Sequence, residues 1–418
     1  MKVLVINCGS SSIKCRLYEM PERTLLAKAK IGRIGREPST LEYAIGGQTR
    51  KQRLSVKDHE SGADLLLDTL VQSQESPIKS LREIEAAGHR VVHGGSEMTA
   101  PVIVDEDVLT TIKRFSLLAP LHNPADLAGI RAAGKRLPGI AHVACFDTAF
   151  HQRIPRAAHI YGLPYEFYEK HGIRKYGFHG LSCRFVLKRA AEMLEKSEAH
   201  LSAILCHLGN GCSVTAIKNG QSVDTSMGFT PLEGLVMGGR AGDVDPGVML
   251  FLLARGFKRE QLNELFNTGS GLLGLSGVST DMRDVLEAAA QGNSSRRSLS
   301  RPGRAKTGEP ERGDRARLAV EVFCYRLRKY IGAYTGVLGV PDALIFTGGI
   351  GENAAEVRAK VCENMTHLGI EIDPEKNAVA SNKDVEISGK NNKVNVLVIR
   401  TNEELEIAEQ TFSLVQTA

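Results

Sequence analysis

One short pattern occurs twice in this chain of 418 residues, with Gly9 and Gly209 at the same place in each copy. In the first copy, an apolar run at residues 3–6 leads into a polar, glycine-containing turn at 7–11, and residues 13–17 then alternate apolar with polar side chains. Residues 203–217 follow the same order. A continuous apolar run predicts a strand buried on both faces, and a period of two predicts a second strand. The repeat indicates two related domains that each offer a turn to one ligand, although a single echo can also arise by chance.

The rest of the sequence predicts an α/β protein. A chain of this length exceeds what one hydrophobic core usually serves, so two domains are expected. Further strands are predicted at 140–146, 342–346 and 394–399, and helices at 62–72, 124–136, 182–196 and 352–368. Ser182 is a good N-cap, and residues 401–404 resemble a capping box that opens a final helix. Strands mixed with helices throughout are typical of the α/β class.

The net charge of +5 is concentrated in one segment. Residues 293–312 contain six basic residues against two acidic ones, are rich in Ser, Gly and Pro, and lack apolar periodicity. This composition predicts a flexible surface loop. A basic loop can also bind nucleic acid or an anionic membrane. Because no aromatic residues are interleaved and no nucleic-acid motif is present, we expect neither partner.

Cysteine usage and hydropathy predict a cytoplasmic protein. The eight cysteines form no CxxC pair and show no zinc-ligand spacing, so reduced thiols in the cytosol are expected. The apolar run at residues 3–6 is too short for the core of a signal peptide. No segment approaches the roughly 20 apolar residues that a membrane span requires.

Three glycine-rich turns, at 7–12, 207–212 and 347–353, each follow a predicted strand. Glycine lets backbone N–H groups surround phosphate oxygens, and Asn7, Ser10, Ser12 and Asn210 add polar groups for phosphates or metal-bound water. Each turn alone could be structural, but three together favour a nucleoside triphosphate site. A P-loop motif is absent, and the GxGxxG match at 269–274 follows a predicted helix rather than a strand, so we interpret it as a flexible turn.

A second set of residues suits an anionic acceptor. Arg90 and Arg240 both lie beside glycines, where a planar guanidinium can bind carboxylate or phosphate oxygens. His122 and His179 lie in polar or glycine-containing segments, and Asp147 ends a predicted strand. Taken singly, each histidine is more often a structural residue than a catalytic one.

Nine segments together resemble the acetate kinase family, in the family's order and along nearly the whole chain. They are NCGSSSIK (7–14), HRVVHGG (89–95), FDTAFH (146–151), YGFHG (176–180), HLGNG (207–211), GGRAGD (238–243), STDMRD (279–284), FTGGIGEN (346–353) and RTNEE (400–404). The resemblance implies the actin-like ATPase fold, in which two ribonuclease-H-like domains face each other across an ATP cleft. We expect the first domain at 1–149 plus 402–418 and the second at 150–401, with the basic insertion at about 293–312. The resemblance also implies a homodimer.

The same resemblance implies nucleotide and metal contacts. Asn7 and Glu403 would hold Mg²⁺, with Mn²⁺ as an alternative. The ATP contacts would come from Ser12, Lys14, His207, Leu208, Gly209, Asn210 and Gly211, with Asp281, Met282, Arg283, Gly349, Ile350, Gly351, Glu352 and Asn353 on the adenosine side.

The catalytic roles that it implies fit the transfer of the ATP γ-phosphoryl group to acetate, giving acetyl phosphate and ADP. Arg90 would bind the acceptor carboxylate, His179 and Arg240 would stabilise the transition state, Asn210 would face the transferring group, and His122 would support them. Asp147 would accept a proton or orient a neighbour. A carboxylic acid is already ionised at neutral pH, so we favour an orienting or metal-linked role for Asp147.

Val92, Leu121, Phe178 and Pro231 would line the methyl site. Val92 is bulkier than the residue expected in a propionate-preferring relative, so propionate should be a poor substrate. Propionate kinase of the same family stays open as an alternative. A noncatalytic nucleotide-binding regulator on the same fold is a second alternative, but it would be expected to have lost the charged residues that are present here. Regulation or a further partner for residues 293–312 also stays open.

Overall fold

The computed structural model describes residues 1–418 except 74, 121, 299–311, 381, 382 and 418. The chain is divided into two compact units. The first unit comprises Met1–Gln152, Phe178–Phe185 and Asn402–Ala418, and the second comprises Arg153–Gly177 and Val186–Thr401. Phe178–Phe185 therefore belongs to the first unit, although the sequence analysis placed all of 150–401 in the second domain.

The described strands are β1 (Lys2–Gly9), β2 (Ser12–Glu19), β3 (Thr24–Gly32), β4 (Ser39–Ile45), β5 (Gln48–Leu54), β6 (Ala86–Val91), β7 (Val102–Ile103), β8 (Ala141–Phe146), β9 (Ala203–Leu208), β10 (Cys212–Lys218), β11 (Gln221–Thr225), β12 (Ala343–Thr347), β13 (Val385–Glu386) and β14 (Asn395–Val398). The described α-helices are α1 (His59–Gln72), α2 (Glu106–Arg114), α3 (Asn123–Arg136), α4 (Arg156–His159), α5 (Tyr165–His171), α6 (Gly180–Met193), α7 (Pro246–Ala254), α8 (Arg259–Asn267), α9 (Gly271–Ser276), α10 (Met282–Ser298), α11 (Arg312–Leu338), α12 (Gly348–Asn353), α13 (Ala355–Cys362), α14 (Pro374–Val379) and α15 (Glu403–Thr417). The α/β class is confirmed.

The described strands of the first unit form one mixed sheet in the order β5-β4-β3-β2-β1-β6-β8-β7. β1 pairs antiparallel with β2 and parallel with β6, and β6 is parallel to β8. The apolar run at residues 3–6 is buried on both faces of this sheet, as the sequence predicts. β2 to β5 form an antiparallel meander, which the sequence analysis did not predict.

Helices cover both faces of this sheet around β1 and β6. Leu70 of α1 and Ala133 of α3 belong to a core cluster on one face, and Ile407 of α15 belongs to a cluster on the other. A Cβ atom at Gly88 on β6 would lie 2.6 Å from Ile407 Cγ2, so the absence of a side chain at this position lets α15 approach the strand closely. The sheet and α15 are therefore closely packed two residues before Arg90.

The described strands of the second unit form a sheet in the order β11-β10-β9-β12-β14-β13. β9 pairs antiparallel with β10 and parallel with β12, which is parallel to β14. This is the arrangement of β1, β2, β6 and β8 in the first unit. The two copies of the sequence pattern thus occupy the same place in two sheets of like order, which supports a duplication.

Several predicted boundaries were wrong. α6 begins at Gly180, so Ser182 lies inside the helix rather than capping it. The predicted helix at 352–368 is broken at Ala354, whose backbone leaves the helical region (φ −98°, ψ 82°), and α13 ends at Cys362. The third glycine turn is itself helical as α12, and the last four residues of the GxGxxG match, 271–274, lie in α9. Asn402, rather than Thr401, caps α15, since its Oδ1 accepts from the Leu405 N–H at 3.2 Å.

The predicted loop at 293–312 lies mostly outside the described residues. α10 continues to Ser298 and α11 begins at Arg312. In the described part of the chain, no helix is both long enough and apolar enough to span a membrane.

Candidate active site

Three residues of the first unit lie at the carboxyl ends of neighbouring parallel strands. The pairing of β1 with β6 ends at Ile6 and His89, and Asn7 and Arg90 are the next residue on each strand. Arg90 is opposite Cys145 on β8, and Asp147 follows the last residue of that strand. Ligands of α/β sheets bind beyond the carboxyl ends of the strands. The topology therefore gathers three residues that the sequence analysis selected separately.

Arg90 and Asp147 form a buried ion pair. Arg90 Nη2 lies 2.5 Å from Asp147 Oδ2, and the side chains are 18% and 2% exposed. Burial raises the pKa of Asp147 to about 6, an effect that Arg90 opposes and the Glu403 carboxylate reinforces. Burial disfavours the charged guanidinium as well, but Asp147, Glu403 and Asp126 outweigh it and raise the pKa of Arg90. The short contact and the permanent charge of Arg90 indicate that Asp147 is ionised at neutral pH.

Three buried atoms around this pair have no hydrogen-bond partner among the described residues. They are Arg90 Nε, Asp147 Oδ1 and Asp126 Oδ1. Buried polar atoms are normally paired, so these three mark places for a ligand, a water or an ion. Burial raises the pKa of Asp126 to about 7, which Arg90 opposes. The sequence analysis missed Asp126; the available signal was an acidic residue in the first turn of the predicted helix at 124–136.

The first turn of α3 fixes the loop that follows β6. Asp126 Oδ2 accepts from the Val92 N–H at 3.0 Å. Asn123 Oδ1 accepts from the His93 N–H at 3.1 Å, and Asn123 Nδ2 donates to the His93 carbonyl at 2.9 Å. Val92, a predicted substrate contact, is 3% exposed and is held in place by these bonds. His122 directly precedes α3, and the predicted contact Leu121 lies outside the described residues.

A second segment of the first unit is attached beside Asp147. The Gly180 N–H donates to the Asp147 carbonyl at 2.9 Å, and His151 Nε2 lies 2.9 Å from the Phe178 carbonyl oxygen. A Cβ atom at position 180 would lie 2.2 Å from the Asp147 oxygen, so glycine is required there. His179 has a φ of 61°, a left-handed conformation that is uncommon outside glycine and often found at functional sites. The segment therefore carries Phe178 and His179 to the neighbourhood of Asp147.

Glu403 enters this group from the first turn of α15. Its carboxylate acts electrostatically on both Arg90 and Asp147, which places it near them. The side-chain oxygens of Asn7, Asp147 and Glu403 are the ligand type that Mg²⁺ prefers, and Asp147 Oδ1 is a buried acceptor with no partner in the described chain. These residues fit a hard divalent cation that keeps some of its water. No cluster of three or more His, Cys, Asp or Glu side chains suited to a metal is found among the described residues.

Lys14 and Ser12 lie on β2, next to the same strand end. Lys14 is opposite Asn7 in the hairpin, and its Nζ lies 4.0 Å from a carboxylate oxygen of Glu404. Arg16, two residues further, lies 3.3 Å from the other oxygen of Glu404. The Lys14 side chain is 47% exposed, so it can leave this long contact for a phosphate.

In the second unit, eight of the predicted nucleotide contacts line one cavity of about 770 Å³. A cavity of that volume is in the range of small-molecule sites. The walls come from the turn after β9, the start of α10 and the helix α12, and Thr280, Leu286 and Ala354 complete them. The eight predicted residues are Gly209, Asn210, Asp281, Met282, Arg283, Gly349, Ile350 and Asn353.

The remaining predicted nucleotide contacts support this cavity rather than line it. His207 and Leu208 are the buried end of β9, and Gly211 closes the turn by accepting from the Gly209 N–H at 3.0 Å. Gly351 is a buried residue of α12. Glu352 Oε1 accepts from the Gly348 and Thr401 N–H groups at 3.0 and 3.1 Å, which occupies that oxygen with backbone bonds.

Arg240 is a half-buried cation without a carboxylate partner in the described part of the chain. Its Nη1 makes a long contact of 3.9 Å to Met237 Sδ. Burial lowers the pKa of Arg240, although the guanidinium stays charged at neutral pH. The nearby Gly238 packs against Asn210, since a Cβ atom at 238 would lie 2.1 Å from Asn210 Oδ1. Pro231, the last predicted substrate contact, is half-buried and lies in the segment that connects β11 to α7.

Comparison with known proteins gives a consistent result over the whole chain. The model of the acetokinase family matches residues 2–302 and 303–409. The chain is 47% identical to an acetate kinase of Natranaerobius thermophilus, covering 99% of this chain and 100% of that one, and 48% identical to an acetate kinase of Thermotoga maritima, covering 100% and 99%. Among solved structures, an acetate kinase of Porphyromonas gingivalis has a TM-score of 0.89 at 42% identity, and a propionate kinase of Francisella tularensis has 0.88 at 39%, each covering 99% of both chains.

Proposed function

The chain belongs to the acetokinase family, and from this premise we propose that it is an acetate kinase. The reaction is the reversible transfer of the ATP γ-phosphoryl group to a carboxylate oxygen of acetate. A bond forms between that oxygen and the γ-phosphorus, the bond from the γ-phosphorus to the β,γ-bridging oxygen breaks, and ADP leaves with that oxygen. No proton needs to move, because acetate is ionised at neutral pH. The barrier is the repulsion between two anions, so the site must supply positive charge and alignment.

The observation that carries the proposal is the buried Arg90–Asp147 pair. Asp147 occupies one side of the guanidinium and thereby fixes its orientation, while the buried Nε remains available for a further acceptor. A carboxylate bound through Nε and a terminal nitrogen is the fork geometry that arginine favours. Asp147 therefore acts as a positioning residue for Arg90, and a general base is not required. His179, attached beside Asp147, adds a second donor for the transferring oxygens.

The second unit supplies the nucleotide side of the proposal. The cavity lined by Asp281, Met282 and Arg283 would accept the adenosine end, and the turn at 207–211 would bind phosphates through backbone N–H groups. Arg240 has no carboxylate among the described residues to neutralise it, so its charge is available to phosphate oxygens. Asn210 would donate its side-chain amide to the transferring group.

We further propose that Mg²⁺, or Mn²⁺ in its place, is held by Asn7 and Glu403. When bound, the cation neutralises charge on the β- and γ-phosphates and orients them. The Asp147 carboxylate interacts electrostatically with Glu403, and its unpartnered Oδ1 would accept from a water bound to the cation. Asp147→Asn should therefore change the Mg²⁺ concentration that half-saturates the reaction.

Substrate size is proposed to be set by Val92, Leu121, Phe178 and Pro231. Val92 and Phe178 are almost fully buried, so the methyl group of acetate would meet fixed walls. One extra methylene is worth about 1–3 kcal/mol in such a pocket. Propionate should therefore react, but poorly.

The test is acyl phosphate formation, trapped as the hydroxamate, from ATP and Mg²⁺ with acetate, propionate or butyrate. Arg90→Ala should lower kcat/KM for acetate by roughly 10²–10³, as expected for the loss of one preorganised donor. Arg136→Ala is the matched control, because it removes an arginine of the same unit that also pairs with carboxylates, Asp64 and Asp68. ATP binding without acyl phosphate would indicate a nucleotide-binding regulator, and a higher kcat/KM on propionate would indicate a propionate kinase.

Two further expectations concern the state of the protein. We propose a homodimer formed through α7, since seven large apolar side chains over residues 244–257 are exposed in the single chain: Val244, Val248, Met249, Leu250, Phe251, Leu253 and Phe257. Leu250→Glu with Phe251→Glu should give a monomer in sedimentation, and an unchanged dimer would refute this interface. We also propose a cytosolic location, because the eight cysteines are buried and no disulfide joins any two of them in the described chain.

A further inference from the structure

Arg358 on α13 is a fully buried cation, with 0% of the residue exposed. No carboxylate within the described residues pairs with it. Burial accordingly lowers the pKa of Arg358 to about 10, which still leaves the guanidinium charged at neutral pH. Arginine is almost never buried without a partner, so the fold must stabilise this charge in another way.

Carbonyl and amide oxygens from two other helices, α12 and α14, do so. Nη1 donates to the carbonyls of Gly351 and Glu352 at 2.8 and 3.0 Å. Nε donates to Asn377 Oδ1 at 2.7 Å, and Nη2 donates to the Asn377 carbonyl at 2.8 Å. Asn377 Nδ2 in turn donates to the Ala355 carbonyl at 2.9 Å, which closes the network.

These bonds converge on the end of the cavity wall. Gly351 and Glu352 belong to the last turn of α12, where carbonyls have no partner within the helix and a positive charge is favourable. The residues on either side of them, Ile350 and Asn353, line the cavity, as does Ala354. The chain leaves helical geometry at Ala354, so the continuous hydrogen bonding of a longer helix does not hold this wall.

We propose that Arg358 is a positioning residue for nucleotide binding: it fixes the wall formed by α12 and places an unneutralised positive charge behind it. This inference rests on the proposed function, since it assigns the cavity to the nucleotide. The charge of Arg358 acts on the anionic ligand through the low-dielectric interior of the protein. The planar guanidinium also fixes the position of the cavity wall formed by Gly349, Ile350 and Asn353. A lysine keeps the charge but lacks the planar fork that reaches three carbonyls.

Arg328 provides the matched control. It also donates to backbone carbonyls of α13, to Val361 at 3.1 Å and to Lys360, and it makes no hydrogen bond to α12 within the described part of the chain. Arg328→Met should lower the melting temperature and leave ATP affinity unchanged. Loss of stability alone would therefore be separated from loss of positioning.

The experiment measures the Kd of ATP by direct titration, and the KM values for ATP and acetate, in Arg358→Met, Arg358→Lys and Arg328→Met. In Arg358→Met, the Kd and the KM for ATP should rise at least about tenfold, while the KM for acetate changes less than about threefold. Arg358→Lys should lie between wild type and Arg358→Met. A Kd of ATP within twofold of wild type in Arg358→Met, or an equal rise in Arg328→Met, would overturn the proposal.

If Arg358→Met does not fold, a milder variant tests the same role of Arg358. Asn377→Ala leaves the arginine in place and removes the side chain that orients its Nε, so the Kd of ATP should rise about threefold or more. An unchanged Kd in Asn377→Ala would also count against the proposal. Since the titration needs no acceptor, it is independent of acyl phosphate formation: a wild-type protein that binds ATP but makes no acetyl phosphate would refute the proposed function and leave the role of Arg358 measurable.

Discussion

Replacing Arg90 by methionine should make the stability of the protein depend on pH in a way that the wild type does not. The variant leaves Asp147, 2% exposed, without its cation. Removing one partner of a buried ion pair costs about 3–5 kcal/mol while the other stays charged. One pKa unit corresponds to about 1.4 kcal/mol, so the pKa of Asp147 should rise by roughly two to four units from its wild-type value of about 6.

The sign follows from linkage. The folded-state pKa of Asp147 is above its unfolded value in both proteins, so stability falls with rising pH between the unfolded and the folded pKa. In the wild type that fall ends near pH 6, whereas in Arg90→Met it continues to about pH 8 or above. The two proteins should differ little at pH 5 and by about 3 kcal/mol at pH 8, which is roughly 6–12 °C in melting temperature for a unit of this size.

Calorimetric or fluorescence melting curves at pH 5, 6, 7 and 8, in EDTA and without nucleotide, measure this difference. The controls are the Asp147→Asn single variant and the Arg90→Met, Asp147→Asn double variant. The difference in melting temperature between these two should depend on pH much less than the difference between wild type and Arg90→Met. The part that remains is assigned to Asp126, which faces the same guanidinium and shifts in the same direction. A melting-temperature gap between wild type and Arg90→Met that is equal at pH 5 and pH 8 would refute the reasoning.

Three further outcomes are expected from the site geometry. Arg240→Met should lower kcat by roughly 10²–10³ with a small change in melting temperature, because no ion pair with a described carboxylate is lost; a kcat within threefold of wild type would contradict the role. Gly238→Ala should lower kcat by moving Asn210, since the new Cβ would lie 2.1 Å from Asn210 Oδ1, whereas Gly332→Ala, where a Cβ meets nothing within 4 Å, should not. Val92→Ala should raise kcat/KM for propionate relative to acetate by about tenfold, measured in the hydroxamate assay, and an unchanged ratio would remove Val92 from the substrate pocket.

The fold was predictable from the sequence where strands are buried on both faces. Residues 3–6, 203–206 and 343–346 form unbroken apolar runs, and all three lie in strands at the centre of a sheet. The meander from β2 to β5 was missed beyond β2, because β5 is an exposed edge strand whose residues are mostly polar and carry no hydrophobic period. Helix ends were the least predictable feature: at Ala354 the helix breaks where the side chains of Arg358 and Asn377 bind carbonyls of α12 and α13, and such side-chain bonds leave no periodic pattern in the sequence.

In the candidate site, too, some residues were predictable from the sequence and others were not. Residues placed at strand ends, such as Asn7, Arg90 and Asp147, were predictable because a polar residue after a buried strand has few structural reasons to be there. Asp126 and Arg358 were not, since one resembles an ordinary acidic residue in a first helical turn and the other an ordinary surface arginine. Both are identified by burial alone. Groups that contact a ligand are therefore easier to predict from local sequence than the groups that hold them in place.

The charge balance in the first unit explains why so many supporting groups are present. Asp126, Asp147 and Glu403 all act on one guanidinium, and an acetate ion would add a fourth negative charge. Arg90 alone cannot neutralise them, which leaves an excess of negative charge. Burial is the main cause of the raised pKa values of Asp126 and Asp147, and the neighbouring carboxylates of Asp147 and Glu403, respectively, raise them further. Binding of a divalent cation near Glu403 should relieve this excess, and acetate should bind more tightly afterwards. This coupling follows from electrostatics and is reciprocal: without the cation an acceptor meets three carboxylates, whereas with the cation it meets a site with compensating charge.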